Sequence, residues 1–174
     1  MPVFFDLETQ NTFDDVGGRY PERLKLSIAV TYDDRTERWR RFTEATVADL
    51  VLQLQAADRV VGFNLLDFDY LVLKAYTPVD LRALPTVDML AIIARQLGYR
   101  VSLDALAAAT LGEKKSADGL QAVRWWRTGR LEELFRYCEQ DVLVTRRLYE
   151  FGRQYHYVQF YDKRYRLQRV PVNW

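Results

Sequence analysis

Short apolar runs separated by polar, glycine-bearing stretches open the chain. Val3–Leu7 (VFFDL) is one such run and reads as a strand. The polar stretch 11–23, with Gly17 and Gly18, reads as a loop. Leu26–Tyr32 alternates and is β-rich, Asp33-Asp34-Arg35 is a turn, and Arg38–Phe42 returns with Trp39 and Phe42, so an antiparallel meander is predicted. Val47, Leu50, Val51 and Leu54 then repeat at helical spacing. Val60–Phe63 is the next strand, and Leu71–Tyr76 continues a helix that Pro78 excludes. Leu84–Val87 is a short strand candidate. Met89–Leu97 reads as a helix closed by Gly98, and Ser102 caps a second helix through Leu111, closed by Gly112. Helices follow around Leu120–Arg127 and from about Leu131 to Phe151. The tail, Tyr157–Val172, carries alternating aromatics and arginines and predicts a β-hairpin.

Three antiparallel strands, then alternating helix and strand, then helices, describe an α/β fold built on a mixed sheet. In such sheets ligands sit beyond the carboxyl ends of the strands, and the acidic residues fall there. At 174 residues, with no repeat, low-complexity tract or linker, the expectation is one domain over 1–174, its tail 152–174 a hairpin appendage. A hydrophobic content of 49% excludes disorder. A single cysteine excludes a disulfide framework and a Cys-rich zinc site, and a single histidine, His156, argues against a hydrolase triad. No apolar run approaches the roughly 18 residues of a membrane span, and the chain opens directly into a strand, without a signal-peptide pattern. A soluble cytoplasmic domain with no membrane partner is therefore expected. Charge is uneven: residues 1–100 balance at −3 and residues 101–174 at +4, summing to +1. An acidic site beside a more basic second half suits a protein that holds metal ions and steers a polyanion.

Three acidic elements carry the candidate chemistry. In Phe5-Asp6-Leu7-Glu8-Thr9, Asp6 and Glu8 are two apart and share one face of a strand at its carboxyl end. A cation held by both removes their repulsion. Gly62-Phe63-Asn64-Leu65-Leu66-Asp67-Phe68-Asp69 follows an apolar strand and opens a helix, where Asn64 and the carboxylates lie near a helix N-terminus suited to phosphate oxygens; the plainer reading is N-capping by Asn64 or Asp67. In Tyr137-Cys138-Glu139-Gln140-Asp141, Tyr137 and Asp141 are four apart and neighbours on one helix face. Leu131, Leu134, Phe135, Cys138, Val142, Thr145 and Tyr149 form the core-facing stripe, with Asp141 on its flank and Glu139 on the solvated side. Cys138 reads as a small buried hydrophobe.

Asp6-x-Glu8, Asn64-x4-Asp69 and Tyr137-x3-Asp141, in this order, resemble the three motifs of the DEDD exonucleases of the RNase H-like superfamily. The Tyr-x3-Asp form resembles the tyrosine (DEDDy) subgroup, which includes proofreading domains of DNA polymerases and RNase D. The Gly-x-Asn-x4-Asp spacing and Tyr137-Cys138 are most similar to the exonuclease domain of family B DNA polymerases and its stand-alone or helicase-joined relatives. The resemblance covers roughly residues 3–150 and implies an RNase H-like fold. It implies two Mg²⁺ or Mn²⁺ ions, Asp6 bridging both, Glu8 and Asp141 completing one site and Asp69 holding the other. A donor set of hard oxygens agrees. It further implies that Tyr137 orients the attacking water, that Thr9 and Asn64 contact the terminal nucleotide, and that a 5′-mononucleotide leaves a 3′ end. A histidine five residues before the last aspartate is the alternative base, and that position is Arg136. The implied partner is single-stranded nucleic acid, DNA before RNA, with a helicase or polymerase beside it by analogy. The competing readings are an RNase D-like exoribonuclease and a catalytically silent nucleic-acid-binding module; a phosphatase starting from Asp-x-Glu ranks last.

The remaining candidates have plainer readings. Lys114 and Lys115 sit in a solvated loop, Trp125 and Trp126 belong to the core, and Arg35, Arg38, Arg40 and Arg41 form a solvated hairpin edge. Asp88 caps the helix after its strand, His156 is structural, and Asp67 rivals Asp69, with only the family spacing preferring Asp69. Lys163, Arg164, Arg166 and Arg169 in the tail close one edge of the sheet or contact strand backbone.

Overall fold

The strand Pro2–Thr9 (β1) buries Val3, Phe5 and Leu7 in one core and Phe4 in another. Period-two alternation therefore puts Asp6 and Glu8 on the Phe4 face. Leu26–Asp33 (β2) and Arg38–Thr43 (β3) complete the antiparallel meander on one side of β1, and Arg59–Gly62 (β4) and Thr86–Asp88 (β5) add in parallel on the other. The order is β3-β2-β1-β4-β5, the mixed sheet that the sequence pattern predicts. The computed structural model describes residues 1–113 and 119–174; Lys114 and Lys115 lie outside these.

Helices cover both faces. Val47–Ala56 (α1) and Tyr70–Leu73 (α2) pack Leu50, Val51, Leu54, Val72 and Leu73 against the Val3-Phe5-Leu7 side. Met89–Leu97 (α3), Leu103–Leu111 (α4), Gly119–Arg127 (α5) and Leu131–Tyr155 (α6) cover the Phe4 side. The α6 stripe of Leu134, Cys138, Val142 and Leu148 is fully buried there. One such leucine contributes about 1.5–3 kcal/mol on burial, so packing, more than intrinsic propensity, orders this helix. Gly98 and Gly112 close α3 and α4 in the left-handed conformation, and Ser102 Oγ accepts from Ala105 N–H, as the sequence predicts.

The structure also differs from the sequence pattern. The helix expected through Tyr76 ends at Leu73, because Tyr76 is drawn toward the meander: its hydroxyl accepts from Leu26 N–H at 2.9 Å and donates to Glu44. Leu131 is 40% exposed, since the buried stripe of α6 begins one turn later at Leu134. Arg41 and Glu139, both expected in solvent, meet: the Arg41 guanidinium bridges β3 to α6, donating to Glu132 and Glu139 at 2.6–3.1 Å.

Tyr157–Tyr161 (β6) and Leu167–Pro171 (β7) form the C-terminal hairpin. Val158, Phe160 and Val170 enter the α4–α6 core, and Thr110 on α4 exchanges hydrogen bonds with the Gln159 backbone. His156 is structural: it ends α6 in the left-handed region, and its carbonyl accepts from Val172 N–H. Among the described residues no helix is long and apolar enough to cross a membrane.

Candidate active site

The carboxyl end of β1, the β4–α2 connection and the middle of α6 come together around a cleft of about 430 Å³. Asp6, Glu8 and Thr9 of β1, Asp69 of the connection and Asp141 of α6 line it. Phe13, Phe63, Phe68, Leu120 and Val123 supply its apolar walls. The Asp6 and Glu8 carboxylates and the Cys138 thiol place one ligand atom each within 4.8 Å of one another. Tyr137 stands at the edge of this group, hydrogen-bonded to Asp141 and packed against the Trp125 ring at 5.9 Å. Trp125 and Trp126 are core-packed, as expected.

The chain between β4 and α2 is folded to aim Asp69 inward. Gly62 admits the Leu65 side chain so closely that a Cβ there would lie 2.5 Å from Leu65 Cδ2. Asn64 takes a left-handed conformation, φ 74°, which asparagine tolerates better than most residues. Asp88 holds this turn. One of its carboxylate oxygens accepts from Asn64 N–H at 2.9 Å and from Ala91 N–H at 3.1 Å, and the other from Leu66 N–H at 2.9 Å. It caps α3 as predicted and also does the capping that the sequence assigns to Asn64 or Asp67. Leu65–Asp69 then winds as a π-helical turn, with Tyr70 N–H reaching back to the Leu65 carbonyl. Such turns gather at functional sites. Asp69 ends 2% exposed at the cleft, whereas Asp67 is 68% exposed beside Arg82 and Arg100.

The electrostatics are those of crowded acids withdrawn from water. Burial, followed by the Asp141 charge, pushes Asp6 well above the usual carboxylate range. Burial again, then Asp6, Asp141 and Asp69, raises Glu8, and burial followed by Asp6 raises Asp69. Burial and the neighbouring carboxylates drive the Tyr137 phenol and the Cys138 thiol far upward, so both keep their protons. Cys138 is a donor toward Asp6 Oδ2 at 3.5 Å and not a thiolate. Asp69 Oδ1 is buried and has no hydrogen-bond partner among the described residues. An orphaned buried acceptor costs about 1–3 kcal/mol, and a cation or a proton removes that cost. Hard carboxylate oxygens crowded at a cleft floor fit a divalent cation of the magnesium class.

Thr9 is buried, and its hydroxyl donates to the Asn11 carbonyl at 2.9 Å. The Asn64 side-chain oxygen accepts from Arg100 at 2.6 Å. Sequence reasoning missed Arg100, the second task of Asp88 and the phenylalanine walls. Only Asp88, following a strand directly, carried a local signal. The loop over the cleft is tied to α5 by the Asp15–Arg127 ion pair at 2.6 Å. Thr12, whose hydroxyl and N–H both donate to that carboxylate, holds Asp15 down at about 2.

A model of the RNase_H superfamily matches residues 3–151, ending before β6. In three dimensions the chain is similar to the family B DNA polymerase from the hyperthermophilic archaeon Pyrobaculum calidifontis. That likeness has a TM-score of 0.66 at 19% identity, over 87% of this chain and 24% of the polymerase, and at that identity it shows a shared fold. This chain thus spans about a quarter of the polymerase's length. No curated protein matches it by sequence.

Proposed function

The chain belongs to the RNase_H superfamily, and from that premise we propose that it is a 3′–5′ exonuclease of the DEDDy type that releases 5′-mononucleotides from single-stranded or frayed DNA ends. One observation carries the reading: Asp6, Glu8, Asp69 and Asp141 line a single cleft, with Tyr137 hydrogen-bonded to the last of them. These four carboxylates are the residues that would hold two Mg²⁺ or Mn²⁺ ions. Such ions, when bound, activate water and stabilise the leaving 3′ oxygen.

The protein's own groups do the rest. Phe13, Phe63 and Phe68 form apolar walls against which the terminal base is packed, and the carboxylate floor faces its phosphate. Thr9 and Asn64 contact the terminal nucleotide. Tyr137 keeps its proton, so it orients the attacking water by hydrogen bonding and does not act as a base. The water oxygen gives up a proton to solvent as it forms a bond to phosphorus, the bond to the preceding 3′ oxygen breaks, and that oxygen takes a proton from solvent. A nucleotide monophosphate leaves, and the shortened strand keeps a free 3′ hydroxyl.

Purified protein with Mg²⁺ or Mn²⁺ is expected to release mononucleotides from a 3′-labelled oligonucleotide, and to stop in EDTA. Asp6→Ala and Asp141→Ala are each expected to lower the rate by about 10²–10³ or more, the scale of losing one charge-stabilising group. DNA and RNA of the same sequence, run side by side, decide the sugar preference. Variants that degrade both as fast as the parent would overturn the assignment of the site.

A further inference from the structure

The family match stops at residue 151, but the hairpin beyond it encloses a second concavity of about 930 Å³ with the α3–α4 connection. Tyr99 and Arg100 come from the connection, and Tyr161, Lys163, Arg164 and Arg166 from the hairpin. Tyr99 and Tyr161 are more than half exposed. Tyr99 is braced edge-on by Phe160, with ring centroids 6.3 Å apart. The hairpin turn is tied down from inside: the Asp162 carboxylate accepts from the N–H groups of Arg164 and Arg166 and pairs with the Arg166 guanidinium at 2.8 Å. That pairing satisfies the groove's one carboxylate. Among the described residues, Lys163 and Arg164 enter no salt bridge, so their charges face the groove unneutralised.

One hydrogen bond links the groove to the wall of the acidic cleft. Arg100 lines the groove and donates to Asn64 Oδ1 at 2.6 Å, and Asn64 directly follows Phe63, a wall of the cleft. Cations interleaved with exposed aromatic faces are what an unpaired strand needs, phosphates on the charges and bases on the rings. A duplex keeps its bases stacked on each other and has no use for the tyrosines.

We propose that this groove is a binding track for single-stranded nucleic acid, holding nucleotides upstream of the 3′ end seated in the acidic cleft. Arg100, Lys163 and Arg164 take phosphates, and Tyr99 and Tyr161 stack bases. The polarity of the strand rests on the exonuclease reading of the cleft; the affinity of the groove does not.

The test is fluorescence anisotropy in EDTA with labelled oligothymidylates of 4 and 16 nucleotides and a 16-base-pair duplex. The parent is expected to bind the single-stranded 16-mer more tightly than either of the others. Lys163→Ala with Arg164→Ala is expected to weaken 16-mer binding about tenfold and to lower the slope of log affinity against log salt by about 1.4, the value for two contacts on a single strand. Tyr161→Ala, at an exposed site, is expected to weaken it by about fivefold to a hundredfold. Unchanged circular dichroism shows that each variant is folded. The proposal falls if the variants bind the 16-mer like the parent or if the duplex binds equally well. If the parent degrades no oligonucleotide yet the variants lose 16-mer affinity and salt slope, the track stands and the exonuclease reading falls.

Discussion

Asp88→Asn separates two opposite roles of one buried carboxylate. Asp88 repels Asp69 and contributes to raising it, behind burial and the Asp6 charge. It also accepts three backbone N–H groups at 2.9–3.1 Å, two of them from the turn that leads to Asp69. Hydrogen bonds to a charged acceptor contribute about 1.5–3 kcal/mol each. An asparagine keeps one carbonyl oxygen, which can serve Asn64 and Ala91, and then points its amide nitrogen at Leu66 N–H, donor against donor. The direct contacts outweigh a repulsion that acts through space, so the expected cost is about 1.5–3 kcal/mol. For 174 residues the unfolding entropy corresponds to about 2.7 °C per kcal/mol, so the melting midpoint is expected to fall by about 4–8 °C. Asp88→Ala removes all three acceptors and is expected to cost about twice as much or more. Thermal melts in EDTA by circular dichroism measure both. With the turn loosened, nuclease turnover is expected to drop by about 10- to 100-fold, the scale of a misplacement near 1 Å. A midpoint that rises or stays level in Asp88→Asn would show that repulsion dominates, and would refute the clamp.

Because Asp6, Glu8 and Asp69 are raised above the unfolded carboxylate range, the folded chain binds more protons than the unfolded one, and stability falls as pH rises. In EDTA the calorimetric midpoint is expected to decline from pH 5 to pH 8, a window above the titration of lowered acids such as Asp15 and Asp162; Mn²⁺ at pH 8 is expected to restore it, and a flat or rising series contradicts this. Asp6→Asn in EDTA at pH 8 is expected to raise the midpoint, since two charges within 4.8 Å of each other repel by about 3.5 kcal/mol or more at an effective dielectric of 20. The same variant is expected to lose the Mn²⁺-induced rise, and a lower midpoint would argue against crowding as the source of strain. Tyr137→Phe is expected to slow single-turnover cleavage by about 10- to 100-fold while leaving the Mn²⁺-induced rise intact; loss of that rise contradicts a water-orienting role. Arg41→Ala, which opens a partly exposed bridge, is expected to cost about 1 kcal/mol or less, read as a small midpoint shift that shrinks in 1 M NaCl.

The strands and most helix ends were legible because their signals are local. Alternation in β1 already places Asp6 and Glu8 together, and four-residue spacing places Tyr137 beside Asp141. Ser102, Gly98 and Gly112 act through bonds to their own neighbours. What was illegible depends on residues distant in sequence. Tyr76 leaves the helix pattern for partners in the meander, and Arg41 crosses 98 positions to Glu139. Arg100 finds Asn64 across 36 positions, and nothing around Arg100 in the sequence announces it. Periodicity alone leaves Asp67 and Asp69 undecided, since the turn that separates them is not a regular helix.

That wide turn makes the location of Asp69 a question of phase. A regular α-helix advances about 100° per residue. Four steps of that kind, from Leu65 to Asp69, would carry the carboxylate about 400° around the axis, whereas the wider π turn carries it through less. The winding of this segment, more than its composition, thus sets the direction in which Asp69 leaves it. Asp67, mostly in solvent, is open to exchange, whereas a change that rewound these five residues at the same length as regular helix would re-aim the Asp69 carboxylate while leaving every strand of the sheet in place.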